Sequence, residues 1–65
     1  MLWRLRNASG NRRCFAAVWP RGFWLGVECA GGGLVLSETL STIDAVIARA
    51  AEVKAPLLIE GWLEE

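Results

Sequence analysis

Two cysteines, Cys14 and Cys29, are the side chains best suited to covalent chemistry in this chain. A catalytic thiol needs a neighbouring base or a positive environment that favours its thiolate. The chain has no histidine, and although Arg12 and Arg13 precede Cys14, packing in a core explains both thiols more simply. Two cysteines without histidine also cannot assemble the usual zinc ligand sets. We expect buried thiols and no metal site, with one disulfide as the alternative.

Two further groups of residues resemble parts of a catalytic or a phosphate-binding site. Ser37, Glu38 and Ser41 would supply a nucleophile and an acid. Few side chains could act as a general base, however, because histidine is absent and Lys54 is the only lysine. Phosphate cradles present N–H groups at a helix N-terminus, whereas an extended Leu-Val-Leu run follows Gly31-Gly32-Gly33. We expect a hairpin loop and helix-capping residues, and therefore no enzyme activity, no catalytic residue and no cofactor.

The basic residues of the N-terminal third are arginines interleaved with aromatic residues. They are Arg4, Arg6, Arg12, Arg13 and Arg21, and residues 1–22 contain no acid. Arginine contacts phosphates and guanines while aromatic rings stack on bases, so one hypothesis is a nucleic-acid interface. The seven acids all follow residue 22 and bring the net charge to zero. Such segregation also suits docking of one copy on another, or solvated strand edges and a solvated helix face.

The length of the chain, 65 residues, is near the lower limit for independent folding. A domain of this size buries only about 60% of its unfolded surface, and usually needs a staple, a metal or a partner. The first six residues lack the apolar run of a secretory signal, and no run approaches the ~20 apolar residues of a membrane span. We expect a single domain over residues 1–65, in the cytoplasm, without membrane association.

The apolar pattern predicts an α+β fold with elements in the order β-β-β-β-α-β. Strands are expected at residues 2–7, 12–19, 23–29, 34–37 and 57–62. Residues 41–44, Ser-Thr-Ile-Asp, resemble a capping box, and apolar residues then recur at helical spacing until Pro56. These apolar helix positions are Ile43, Val46, Ile47, Ala50 and Val53. An antiparallel sheet of about four to five short strands would thus carry one helix on one face.

The central hairpin, residues 14–29, separates two faces of this sheet. Its turn at Pro20-Arg21-Gly22 sets Trp19 opposite Gly22, and opposed residues share a face. One face is predicted to be the core: Cys14, Ala16, Val18, Phe23, Leu25, Val27 and Cys29. The other is predicted to hold Phe15, Ala17, Trp19, Trp24, Gly26 and Glu28, with Gly26 leaving room for the Phe15 ring.

The first strand can take either of two registers. Pairing of Asn7 with Asn11 would add Trp3 to the aromatic face, whereas a slip of one residue would put Arg4 and Arg6 there. One helix cannot cover both faces, and tryptophan is enriched in interface hot spots. We expect an interface at Trp3, Phe15, Trp19 and Trp24. The alternatives are that Trp62-Leu63 or the last strand covers this face, or that the faces are assigned wrongly.

Three segments, Gly22–Val27, Ser37–Ala45 and Leu57–Gly61, carry a resemblance that spans residues 22–61. They resemble small bacterial β-β-α-β families of unknown function, with Asp44 where the Thr-x-x-Glu-Ala helix start of those families has Glu. The layout is also similar to HicB-type antitoxins, which implies a domain that oligomerises and masks a toxin. It resembles the arm-binding domains of tyrosine recombinases too, which implies a sheet laid into a DNA groove.

The sequence therefore predicts a non-enzymatic interaction module that forms a homodimer through its aromatic sheet face, with a different protein as a further partner class. The alternative is a nucleic-acid-binding domain that uses the arginines and aromatic residues of the same sheet.

Overall fold

In the computed structural model, which describes all 65 residues, five strands form one antiparallel sheet that carries a single helix. The elements are β1 (Trp3–Asn7), β2 (Gly10–Trp19), β3 (Gly22–Cys29), β4 (Leu34–Leu40), α1 (Ile43–Ile59) and β5 (Leu63–Glu64). The strand order across the sheet is β4-β3-β2-β1-β5. The predicted α+β class and the order of elements are confirmed.

The register of the β2–β3 hairpin is the predicted one. Trp19 pairs with Gly22, Ala16 with Leu25 and Cys14 with Val27. Gly22 adopts a φ of +148°, and a Cβ there would lie 2.5 Å from the Leu40 carbonyl oxygen. The tight turn therefore depends on glycine for its backbone conformation and for the close approach of the chain that leaves β4.

The first hairpin has a shorter turn than the sequence suggested. Asn7 pairs with Gly10, so only Ala8 and Ser9 connect the strands, and the Ser9 N–H donates to Asn7 Oδ1 over 2.8 Å. Such an Asx-type bond favours a tight turn. In this register Trp3 pairs with Cys14 and faces the helix. The predicted placement of Trp3 on the aromatic face is therefore wrong, and the alternative register is the observed one.

The C-terminal part of α1 differs from the prediction. Residues 57–62 were expected to form a strand after Pro56, but the helix includes Pro56 and ends at Ile59, and β5 is only Leu63–Glu64. Gly61 has a φ of +98°, its N–H donates to the Leu58 carbonyl, and the Trp62 N–H donates to the Leu57 carbonyl. This is a Schellman cap. Burial of Leu57 and Trp62 offsets the hydrogen bond that Pro56 cannot make.

The N-terminus of α1 begins one residue later than the capping-box pattern indicated. Thr42 is the N-cap, and its Oγ1 accepts the Ala45 N–H over 3.1 Å. The buried helix positions are Val46 and Ala50, with Val53 and Leu57 packed beside them. Ile43 and Ile47, predicted to face the core, are 51% and 58% exposed.

The core lies between α1 and the helix-facing side of the sheet. It consists of Trp3, Leu5, Cys14, Leu25, Val27, Val46, Ala50 and Trp62. The Trp3 indole N–H donates to the Ala50 carbonyl over 2.9 Å, which fixes the helix against β1. The predicted core positions Ala16 and Val18 are exposed, because α1 packs mainly on β3 and β4, where Phe23 and Leu40 contact the core, and not on this part of β2.

The position of the N-cap gives a direct test of the helix start. We predict that Thr42→Ala lowers the free energy of unfolding by about 1 kcal/mol, because the Ala45 N–H loses its acceptor. Ser41→Ala, one residue earlier, should change it little. Urea unfolding followed by circular dichroism measures both. A larger loss for the Ser41 variant would contradict the observed cap.

Candidate interaction surface on the open sheet face

The side of the sheet opposite α1 is covered by no other part of the chain, and we call it the open face. Strand alternation and the observed registers assign its side chains. They are Arg4, Arg6, Asn11, Arg13, Phe15, Ala17, Trp19, Trp24, Glu28, Ser37 and Thr39. The alternative that the C-terminus folds over this face is wrong, since Trp62 is 8% exposed within the core on the other side.

A preorganised aromatic pair occupies the middle of the open face. The Phe15 and Trp24 ring centroids are 5.3 Å apart, with the planes tilted by 55°. A Cβ on Gly26 would lie 2.3 Å from Cη2 of Trp24, so the indole lies over this glycine. The Trp24 Nε1–H donates to Ser37 Oγ over 2.8 Å. Gly26 thus makes room for a ring, as predicted, but the ring above it is that of Trp24.

Trp19 extends the aromatic surface toward the β2–β3 turn and is 51% exposed. Together with Arg21, Phe23 and Leu40 it lines a shallow groove of about 350 Å³. Leu2 precedes β1 and is 42% exposed, and its N–H donates to the carbonyl of Cys14, the residue that pairs with Trp3.

Three of the predicted interface residues, Phe15, Trp19 and Trp24, therefore share the open face, and Trp3 does not. The structure leaves Phe15 and Trp24 partly buried against each other and Trp19 the most accessible. This arrangement presents two rings that contact each other and a third ring, that of Trp19, that is half-exposed.

The charged end of the open face contains ion pairs. Arg13 pairs with Glu28 on the adjacent strand, and Arg4 Nε lies 3.4 Å from Glu65 Oε2. A second shallow groove, of about 390 Å³, lies between Arg4, Arg13 and Gly31. Both pairs are partly solvated, so they contribute little stability and mainly balance charge.

The five arginines do not form one surface. Arg4, Arg6 and Arg13 lie on the open face. Arg12 lies on the helix side with its guanidinium carbon 4.9 Å from the centroid of a Trp62 ring. Arg21 lies in the turn at the far end of β2. A nucleic-acid strand on the open face would therefore meet three of the predicted contact residues, two of them already paired with acids.

The candidate catalytic groups do not converge. Ser37 binds Trp24 on the open face, while Glu38 faces the helix and accepts two hydrogen bonds of 2.9 Å from the Arg49 guanidinium. These bonds lower the pKa of Glu38. Gly31 and Gly32 form a loop with positive φ angles, as expected for a hairpin connection.

The thiols also lie apart from any base. Cys14 is buried among apolar residues, and this burial raises its pKa to about 11, so the thiol is protonated at neutral pH. Cys29 is half-buried, and both cysteines are free. No three His, Cys, Asp or Glu side chains are grouped closely enough to hold a metal ion.

The helix α1 does not have the length and apolar character needed to cross a membrane. No family model, no curated protein and no solved structure matches the chain. The similarity of its layout to small bacterial β-β-α-β domains therefore stays a prediction.

The contact between Trp24 and Gly26 can be tested by substitution. We predict that Gly26→Ala lowers the free energy of unfolding by about 1–3 kcal/mol, since the new methyl group displaces the indole. Ser37→Ala removes only the indole hydrogen bond, and should cost at most about 1 kcal/mol with the ring kept in place. Urea unfolding gives the stabilities and near-ultraviolet circular dichroism reports the ring. Equal spectra for the Gly26 variant and the wild type would contradict the packing.

Proposed function

We propose that this protein is a non-enzymatic interaction module that self-associates by burying its open face against that of a second copy. The observation that carries this proposal is the uncovered aromatic surface formed by Phe15, Trp19 and Trp24 on the side opposite α1. Contiguous apolar surface of this kind typically marks a protein–protein interface.

The dimensions of the molecule support this proposal. Its principal extents are 38 × 23 × 16 Å, so each broad side has the size of a standard interface, about 800 Å² per partner. Only eight residues form the buried hydrophobic core. A domain of this size buries little apolar surface by itself. Covering the second face of the sheet would add the apolar burial that so small a core does not provide.

The arrangement of side chains on the open face also fits an interface. Phe15 and Trp24 are held by each other and by Ser37, so their ordering upon association costs little conformational entropy. Trp19 is half-exposed and supplies a large apolar area to be desolvated. The ion pairs of Arg4 and Arg13 lie at the opposite end of the face, where they would form a polar rim.

Adjacent residues on opposite faces of β2 provide a matched test. We predict that Trp19→Ala raises the dissociation constant of the dimer by roughly 30-fold or more, as expected for a hot spot of about 2 kcal/mol. Val18→Ala alters the neighbouring side chain, which is 82% exposed on the helix side, and should leave the constant unchanged. Sedimentation equilibrium of both variants and the wild type at micromolar concentrations measures it. A monomeric wild type, or equal effects of the two variants, would contradict the proposal.

A nucleic-acid interface on the same face is the second candidate. The supporting observation is that Arg4, Arg6 and Arg13 share the open face with Phe15 and Trp24. Phosphate contacts by arginine combined with base stacking would suit a single strand.

This candidate predicts a defined salt dependence. If three arginines contact phosphates, the logarithm of the affinity for single-stranded DNA or RNA should fall with the logarithm of salt concentration with a slope of about −2. Fluorescence anisotropy of a labelled oligonucleotide measures the slope, and Arg6→Ala should reduce its magnitude by about 0.7. Absence of binding at low salt excludes the candidate.

A further inference from the structure

The sheet has one long unpaired edge, formed by the seven residues of β4, whereas β5 at the other edge has two. An exposed edge strand offers unpaired N–H and C=O groups to another chain, and proteins usually protect it with lysine, proline or a bulge. β4 contains neither lysine nor proline, its one charged residue, Glu38, is bound by Arg49, and Leu34 and Val35 are each 53% exposed. The single irregularity in its pairing lies opposite Val27/Glu28, so Leu36–Leu40 remains a regular ladder.

This regular segment is chemically symmetric about its centre. Its sequence is Leu36-Ser37-Glu38-Thr39-Leu40, in which a leucine and a hydroxyl residue stand on each side of Glu38. The leucines and Glu38 are half-buried on the helix side, while Ser37 and Thr39 are exposed on the open face. Antiparallel pairing with a second copy about a twofold axis at Glu38 would place Leu36 opposite Leu40 and Ser37 opposite Thr39.

We propose that the β4 edge pairs with the β4 edge of a second copy, in antiparallel register about Glu38. The occupant is another copy of this chain because the segment is complementary to itself: apolar residues meet apolar residues and hydroxyl groups meet hydroxyl groups across the axis. Ser37 Oγ already accepts the Trp24 Nε1–H, so its own hydroxyl hydrogen remains available to Thr39 of the second copy.

The charge at the centre of this pairing is compensated. The two Glu38 carboxylates would lie opposite each other, and like charges in that position are destabilising by themselves. Each carboxylate, however, is bound through both oxygens by Arg49 of its own helix. The two Glu38 carboxylates would therefore meet at the axis with a guanidinium group bound to each, and each guanidinium also lies 3.3 Å from the more exposed Glu52 of its own helix.

The edge pairing is independent of the association through the open face. It would join two five-stranded sheets into one continuous sheet, with both open faces on the same side. Either surface can form without the other, so the two can be tested separately.

Cysteine pairs across the proposed axis provide a test specific for the register. Directly opposed residues of antiparallel strands have Cα atoms about 4.5–5.5 Å apart, within the range of a disulfide. A mixture of Ser37→Cys and Thr39→Cys chains should form a 37–39 cross-link under mild oxidation, in up to about half of the chains, the statistical share of mixed pairs. Each variant alone should form no cross-link between its introduced cysteines, because identical positions are not opposed. A mixture of Thr39→Cys with Leu63→Cys should form no 39–63 cross-link, because Leu63 lies at the opposite edge. Peptide mapping by mass spectrometry identifies the linked residues.

The outcomes separate the two surfaces. Absence of the 37–39 cross-link in a protein that sediments as a dimer overturns the edge pairing and leaves the open-face association standing. Cross-linking of each variant alone to the same extent as the mixture also overturns it, because that register does not bring identical positions together. A monomer at all concentrations overturns both proposals.

A measurement on the unsubstituted chain tests the edge pairing even if the cysteine variants do not fold. Hydrogen–deuterium exchange of residues 36–40 should slow as protein concentration rises, since the outward amides of β4 gain hydrogen-bond partners only by edge pairing. Exchange that is independent of concentration overturns the proposal.

Discussion

The single helix covers only one of the two faces of the sheet, and this constraint decides where the core and the exposed surface lie. The helix spans 17 residues and crosses from the β4 edge toward the β5 edge, which leaves the opposite face of the sheet without any covering element. Trp3 fixes this packing, because its buried indole N–H donates to a carbonyl in the middle of the helix. The helix side thus forms the core, and the other side remains an aromatic surface.

The fixed positions of the side chains on the open face follow from the pairing of the strands. Close pairing of β2 with β3 places Phe15 opposite Gly26, and the missing side chain at Gly26 lets the Trp24 ring lie over this glycine. The two rings and the Ser37 hydroxyl then hold one another in place. An exposed surface with fixed side chains loses little entropy when it is buried, which is why we propose that association occurs through this face.

The parts of the fold that the sequence predicted are those with strong local constraints. Pro20 and Gly22 define the β2–β3 turn, so the register and the faces of that hairpin followed directly. The cluster at residues 7–11 admits two turn lengths, and only the Asn7–Ser9 hydrogen bond distinguishes them, so the face of Trp3 was assigned wrongly.

The C-terminal region shows a different reason for failure. The apolar run at Leu57–Ile59 suits a strand or a buried helical turn equally well, and Pro56 favoured the first. Packing of Leu57 and Trp62 in and against the core stabilises the helical conformation instead. The local signal of the helix end is Gly61 followed by an apolar residue. The position of β4 at an edge of the sheet was not predicted, because the strand order depends on contacts between residues distant in sequence.

The central claim, that the open face is buried on self-association, is tested most directly by the four tryptophan indole N–H resonances in a concentration series of NMR spectra. Trp19 and Trp24 lie on the open face, while Trp3 and Trp62 lie in the core and serve as internal controls. We predict that the Trp19 and Trp24 resonances shift with protein concentration and that the Trp3 and Trp62 resonances do not. Four resonances that stay unchanged from micromolar to millimolar concentration would contradict the account.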